Sequence, residues 1–600
     1  MDNRKTLLIA SFLTLVAAGM GFATRGAAGP AWAAMGIDSG NFGMIMGYGF
    51  LGFGFVIFFG GIIVEFLGYK NLLLISVVLH FISAVMILAA PSMYAGWVEN
   101  SPAEATNNLI SLLKYSVLLF SICAGLYEAV INPLVGQLYP ENQTHYLNIL
   151  HAGWPGGIII GGVLAACFQN ETAWIAEIDW QYAVSSYSLV LIGLTFIILK
   201  QQFPDTVASK SNASFGVLFS CFLSIPFLVL IVAHALIGYM ELGVDSWQTR
   251  LMERLVDNSV TVLIYTSLLM FVLRFFAGPI VHRINPIGLL LISSVFAIIG
   301  LRWLGSEIES VAIIFAAATV YSLGKAFLWP TMLAIAGERY PQCGAVAMST
   351  LGAAGMISVG YIGGAMIGAQ QSRAMSESLQ ETNPAVLARY QGDDASFLGF
   401  DYGTINPAMQ QAAMDYHGAS DDAKRAETLA TVVSAAKEAG VQEDVGSTIA
   451  ADSAAVTAAF NTGGRAALTN TAMIPVGMAI CFLGLLIYYK SIGGYKVLTI
   501  GGGDDNGGGG NGGDDESGSD DAADGLFRDD NGYLKGVKSV SADPPAETGL
   551  TEEASAETGL TEEASAETGL TEEALAVTTV EEGAEECCGE DEAKEGDGGG

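Results

Sequence analysis

Apolar runs of about 18 residues or more recur along this chain, and a run of that length has few alternatives to crossing a bilayer as a helix. They fall near 7–29, 42–66, 71–91, 112–136, 147–168, 183–199, 215–241, 260–281, 287–305, 311–336 and 344–369, with a twelfth near 471–489. Lipid offers the backbone no hydrogen bonds, so each run must satisfy its own as a helix. The pattern predicts an all-α membrane protein with twelve transmembrane helices. The first run ends near the small residues Ala33-Ala34, as a signal peptide would. It is too long for that, and further spans follow at once.

Lys and Arg in short loops set the orientation. With the amino terminus inside, the inner side receives Arg4, Lys5, Lys70, Lys200, Lys210, Arg283, Arg339, Lys490 and Lys496. The outer loops 92–108 and 169–182 contain no Lys or Arg, while Arg250, Arg254 and Arg302 are outer exceptions. The balance predicts a multi-pass protein of the plasma (inner) membrane with both termini cytoplasmic. Asn170-Glu-Thr is then an outer glycosylation sequon. The seven cysteines show no metal spacing, and those in apolar runs read as small hydrophobes.

Composition divides the chain into regions. Residues 1–200 form a first bundle of six spans and 201–369 carry spans 7 to 11; span 12 lies in 470–493. Between them, 370–469 is a polar insert placed outside, with a surface helix expected over 421–440, where Asp421 and Asp422 suit the start and Gly440 the stop. One hundred residues exceed what a connection needs, so this is a lid, a docking surface or a tolerated insertion. Residues 494–600 open with GGGDDNGGGGNGGDD and then repeat AETGLTEEAS every ten positions from Ala546. From Gly501 onward 29 acidic residues face 4 basic ones, which is −25 of the chain's −34. Such a cytoplasmic tail is expected to be disordered, and the low isoelectric point of about 4.3 says little about any solute.

The charges inside the apolar runs are the candidate functional residues. Glu128 lies deep in the fourth, and a mid-bilayer carboxylate costs roughly 2.5–3.5 kcal/mol on insertion scales. One turn on, Asn132-Pro133 frees backbone carbonyls that only protein or a water-filled cavity can satisfy. Arg25 is the charge of the first span and Lys325 that of the tenth, one turn before Trp329-Pro330. His151 in span 5 reads either as a hydrogen-bonding or pH-sensing group or as a satisfied core histidine. Glu241 closes span 7. Arg274 stands nearer the inner end of span 8 and is expected to belong to a gate. Pairing of Arg25 with Glu128 and of Lys325 with Glu241 would neutralise both bases; packing alone is the competing role for each group.

Two loops look like degenerate copies of one motif. Gly61-Ile-Ile-Val-Glu65-Phe-Leu-Gly68-Tyr-Lys70 lies between spans 2 and 3, and Gly278-Pro-Ile-Val-His282-Arg283 follows six spans later. The first resembles the G-x-x-x-D-R-x-G-R-K loop of the major facilitator superfamily, with Glu65 for the Asp and Phe66 for the Arg. Glu65, Gly68, Lys70, Arg274, His282 and Arg283 would accordingly form an inner gate. Repetition of the loop at equivalent places implies two pseudo-symmetric six-helix bundles. Gly43/Gly47, Gly157/Gly161 and Gly360/Gly364/Gly368 follow the small-xxx-small pattern of close helix contacts.

The resemblance narrows further. Glu128, Asn132-Pro133, Pro140-Glu141 and Leu147-Asn148 are similar to the E-x-x-x-N-P…PE…LN pattern of the fucose permease-like branch of sugar:proton symporters. Glu241 with Trp247, and Trp329-Pro330-Thr331-Met332, look like that branch's patterns in spans 7 and 10. The resemblance implies alternating access, a polar solute such as a sugar, and Glu128 as proton carrier with Arg25, Asn132, His151, Glu241, Lys325 and Trp329 around the solute. It departs at Arg25, where fucose permeases carry an Asp. The opposite charge keeps a second class open: an organic-anion transporter or exchanger, for a sugar acid or phosphate ester bound by Arg25 and Lys325. A transport-dead sensor or scaffold is a third. No P-loop is present, so the expected protein is not an enzyme or ATP-driven pump. Its expected partners are a small solute, protons and the bilayer, without nucleic acid, metal or cofactor, and it is expected to act as a monomer.

Overall fold

The computed structural model describes residues 3–500, except 38, 170–172, 208, 210–213, 248–259, 309, 420 and 439–444, together with 537–540. The acidic repeats with their expected disorder, the sequon at Asn170, Arg250, Arg254 and the expected stop at Gly440 lie outside the described residues.

Twelve spans are present among the described residues: Asn3–Ala27, Ser39–Leu67, Tyr69–Asn100, Ala105–Leu138, Pro140–Phe168, Trp180–Lys200, Ile225–Trp247, 260–284, 286–304, Val311–Arg339, Pro341–Thr382 and Val445–Ser491. Eleven of the helices are long and apolar enough to cross a membrane by length and composition. The eighth is made of two pieces, the shorter apolar helix Val260–Arg274 and residues 277–284, and it ends at Asn285, whose φ of 56° breaks the helix before span 9. Large side chains such as Phe59, Leu189 and Ile487 are exposed on the outward faces, where acyl chains rather than water would cover them.

Prolines shape the interior. A proline lacks the N–H that would bond the carbonyl four residues back. Pro155 therefore leaves the His151 carbonyl without that donor, and Pro330 does the same to Ala326. Span 5 breaks at Ala152 and span 10 between Lys325 and Leu328.

The halves repeat each other. Tyr139-Pro140 and Tyr340-Pro341, 201 residues apart, each end a span and open a single 3-10 turn, Pro140–Asn142 and Pro341–Cys343. Span 5 follows the first turn and span 11 the second. These turns, the turn at Gly68 and both ends of the twelve-span core lie on one face, here termed the terminal face. Gly68 there adopts φ 76°, a left-handed conformation that a Cβ would strain.

Close packing uses some of the expected glycines. At Gly157 and Gly161 the backbone of span 1 at Val16 and Met20 fills the place of a Cβ, and at Gly360 Phe50 of span 2 does so. Gly43 and Gly47 instead face open space, because their side of span 2 meets no neighbour there.

The region between spans 11 and 12 is an outgrowth of both. Span 11 runs on to Thr382 and span 12 begins at Val445, and the two extensions pack together. Around them lie helices Pro384–Tyr390, Pro407–Gly418 and Asp422–Glu438 and a hairpin pairing Ala395–Phe397 with Phe400–Tyr402. The last helix matches the one expected over 421–440. Leu379, Tyr390, Met409, Val432 and Phe460 form a separate apolar core. A two-pronged ion pair from Arg389 to Asp452, at 2.9 and 2.6 Å, ties the first short helix to span 12's extension. After span 12, Val497–Ile500 pairs antiparallel with Val537–Val540.

Candidate functional site

Most of the charges buried in the spans meet in one network. Asn132 donates from Nδ2 to Glu128 Oε2 at 3.3 Å. His151 Nε2 lies 2.9 Å from Asn132 Oδ1; because the Asn132 nitrogen is already a donor to Glu128, the imidazole N–H is the donor here. The Trp329 indole is a second hydrogen-bond partner of Glu128. No cation pairs with Glu128 among the described residues.

Arg274 binds the carbonyls that the prolines set free. Its Nε donates to Ala326 O at 2.7 Å and its Nη1 to His151 O at 2.5 Å, while Nη2 meets Glu241 Oε1 at 3.2 Å. One guanidinium thus bridges the break in span 5, the break in span 10 and the carboxylate of span 7. The sequence predicts Arg274 at the gate; it is in the centre, because two broken helices supply acceptors that only a fork of N–H groups reaches together.

Lys325, fully buried, donates to Asp245 rather than to the expected Glu241, with Thr266 Oγ1 at 3.5 Å. Span 7 turns once as a π-helix over Tyr239–Gly243, which adds a residue to the turn between Glu241 and Asp245. Glu241 is thereby left to Arg274 and Asp245 to Lys325. Across the network, His234 of span 7 packs edge-on against Trp329 at 4.4 Å, fully buried, with neither ring nitrogen bonded among the described residues.

Arg25 stands apart. It does not pair with Glu128. Its guanidinium lies 3.6 Å from the centre of the Phe120 ring, and Phe120 is eight residues, about 12 Å of helix, from Glu128 along span 4. His80 and Tyr187 stack beside it at 4.5 Å. Arg25 is 4% exposed and forms no ion pair or hydrogen bond among the described residues.

The terminal face is held by two glutamates in matching roles. Glu65 at the end of span 2 accepts from Ala345 N at 2.9 Å, capping span 11 of the other half. Glu338 at the end of span 10 accepts from Thr144 N at 3.2 Å and Thr144 Oγ1 at 2.7 Å, capping span 5. Thr144 and Ala345 are 201 residues apart, the spacing of the Tyr-Pro repeat. A carboxylate at a helix N-terminus satisfies free N–H groups and the helix dipole together. Tyr495 donates to Glu338 at 2.5 Å; burial and the neighbouring carboxylate keep its phenol protonated by raising its pKa well above the usual value.

The other expected gate residues behave differently. Lys70 binds Leu199 O and Gln201 O at 3.1 and 3.0 Å, closing the end of span 6 within its own half. His282 and Arg283 are exposed, and contact with the first half comes instead from Gly278 N to His145 Nδ1 at 3.3 Å. A cavity of about 580 Å³ opens on this face around Glu65–Asn71 and Phe203–Thr206, away from the central network.

Asp245, His234 and Glu338 complete these sites without having been singled out from the sequence. Asp245 had a signal, since it follows Glu241 by one turn. Glu338 had one in the internal repeat that places it beside Tyr340-Pro341.

A family model described as Major Facilitator Superfamily matches residues 8–369. No curated protein sequence matches the chain. Among solved structures, a proton:xylose symporter is similar at 14% identity and a TM-score of 0.50, covering 64% of this chain and 90% of that one. The E. coli fucose:proton symporter is similar at 15% identity and 0.46, covering 60% and 89%. A human organic anion transporter is similar at 12% identity and 0.46, covering 80% and 100%. At 14% identity the likeness to the xylose symporter speaks for the fold alone.

Proposed function

The chain belongs to the major facilitator superfamily, and we propose that it is a secondary active transporter carrying a small polar solute, a sugar or related metabolite, in step with protons. The charge count of the central network supports this reading. Three carboxylates, Glu128, Glu241 and Asp245, face two cations, Arg274 and Lys325. Each cation has its own carboxylate, and Glu128 has only an amide and an indole. Protonating Glu128 brings the buried network to neutrality, which a low-dielectric interior favours. Asn132 and His151 then carry the protonation state to Arg274, which grips both halves. Lys325 is neutralised by Asp245, so one of the two cations required by an anion site is already occupied.

Glu65 and Glu338 serve in this reading as the latches of the terminal face, placed in the cytoplasm by the Lys/Arg bias. Two helix caps would have to break before that face opens.

Proteoliposome uptake tests the reading, with neutral sugars set against sugar acids and with or without a pH gradient. Gradient-driven accumulation of a neutral solute is expected. Glu128→Gln should abolish accumulation while leaving solute exchange partly intact, since an amide mimics the protonated acid and releases no proton. Equal loss of both would make Glu128 structural and defeat the proposal.

The lone cation Arg25 favours a second reading, transport of an organic anion. Uptake of a sugar acid that is lost in Arg25→Met, with neutral sugars ignored, would establish it instead.

A further inference from the structure

We propose that a cavity outside the central network, closed by the region between spans 11 and 12, binds a neutral polyhydroxylated solute about one sugar ring in size. The cavity measures about 260 Å³ and lies where the outer end of span 7 meets span 11 and the hairpin. That is just under the roughly 300 Å³ at which drug-sized pockets begin. The Trp247 indole forms its floor. It lies over Gly364 and Gly368, where an added Cβ would stand 3.4 and 3.0 Å from the ring atoms. Phe397 and Tyr402 from the hairpin and Phe460 from span 12's extension supply three more aromatic surfaces.

The polar groups decide the ligand class. Gln371, Gln410, Ser372 and Ser396 line the same space, and among the described lining residues none is Asp, Glu, Lys or Arg. A charged solute would enter with nothing to balance it, at a cost of several kcal/mol. A purely apolar one would strand the amides and hydroxyls. Gln371 carries the sharpest signal. It is 5% exposed and its Nε2 has no partner among the described residues. A buried amide N–H without an acceptor costs about 1–3 kcal/mol, which a ligand hydroxyl brought within reach by a turn of the Gln371 side chain would offset. Hydroxyl oxygens for the amides and C–H faces for the aromatic rings occur together in a sugar or polyol.

This goes beyond the transport reading: it is a binding site that keeps its ligand whether or not Glu128 moves a proton. It also gives the extra region a task, because without the hairpin and the span 12 extension only a shallow face of spans 7 and 11 is left.

Tryptophan fluorescence of the purified full chain, titrated with D-glucose, D-galactose, D-xylose, L-fucose and myo-inositol and with glucuronate as the charged control, tests it. At least one neutral solute should give a saturable change, and glucuronate none. The affinity should fall at least tenfold in Phe397→Ala and in Gln371→Leu and stay within twofold in Glu128→Gln. Gln371 is buried, so thermal melting must first show that its variant is folded; Phe397, at the hairpin, carries the test if it is not. Absence of saturable binding, or binding that survives both pocket variants, overturns the proposal. Binding that Glu128→Gln abolishes and Phe397→Ala spares would assign the solute to the central network alone. Failed accumulation with intact pocket binding would count against the transport reading only.

Discussion

The central network and the Arg25 corner both bury a cation among helices, and they treat it in opposite ways. Arg274 has two main-chain carbonyls and a carboxylate, and Lys325 a carboxylate and a hydroxyl. Arg25 has the face of one phenylalanine. A cation over a ring gains about 2 kcal/mol when desolvated, less than the several kcal/mol that burying the charge costs. The fully partnered cations read as fixed structure that organises the breaks in spans 5 and 10. The unpartnered one is a charge the fold tolerates without using it for stability. Charge inside a membrane helix is thus a weak guide by itself; the partners decide whether it builds the scaffold or waits for something else.

Asp245→Asn should break the contrast most severely. It leaves Lys325 buried without counter-charge, and a loss of about 3–5 kcal/mol is expected. Thermal melting in detergent reads it, and Asp245→Asn with Lys325→Met should recover much of the loss. A single variant as stable as the parent would show that the pair is not needed to neutralise Lys325.

A middle effect is expected at the terminal face. Glu65→Ala and Glu338→Ala each remove a charged helix cap that joins the halves, at about 1–2 kcal/mol. Cys343 is fully buried beside the capped turn, so its alkylation should quicken in both variants. If it quickens in Glu65→Ala alone, the two glutamates are not equivalent latches.

Arg25→Met should be smaller and opposite in sign to Asp245→Asn. Replacing an unpaired charge by an apolar chain is expected to leave stability unchanged or raise it by about 1 kcal/mol. Neutral-solute uptake should stay within about twofold. A fall of several kcal/mol would mean that Arg25 is held as tightly as Arg274, and the two regions would no longer differ.

The least change is expected from truncation after Val540, which removes only the acidic repeats. Truncation after Lys496 also removes the strand Val497–Ile500, so a small destabilisation confined to that variant would locate the tail's contribution in the hairpin.

The sequence made the spans legible because length and hydropathy alone decide a membrane helix. Glu128 stood out as a candidate because a lone acid in a long apolar run is costly to bury, although packing alone remained a competing role. The partners were not. Lys325 could be read, but the choice between Glu241 and Asp245 depends on a π turn that no periodicity announces. Arg274 looked peripheral by its place near the end of span 8. Its acceptors are carbonyls exposed by Pro155 and Pro330, more than a hundred residues apart in the chain. The first gate loop pointed to Glu65, which bonds to Ala345 N of the other half, whereas its second copy, His282 and Arg283, drew attention away from Glu338.

The unbroken run of span 11 into Thr382 has a mechanical consequence. A helix of 19 residues beyond Gly363 is a rod about 28 Å long, stiff along its axis. Any tilt of span 11 within the bilayer is carried along that rod as by a lever, and the ion pair and apolar core around it leave little play. The Asp422–Glu438 helix should therefore act as a pointer. A spectroscopic label there would register each swing of span 11 at a distance from the bilayer.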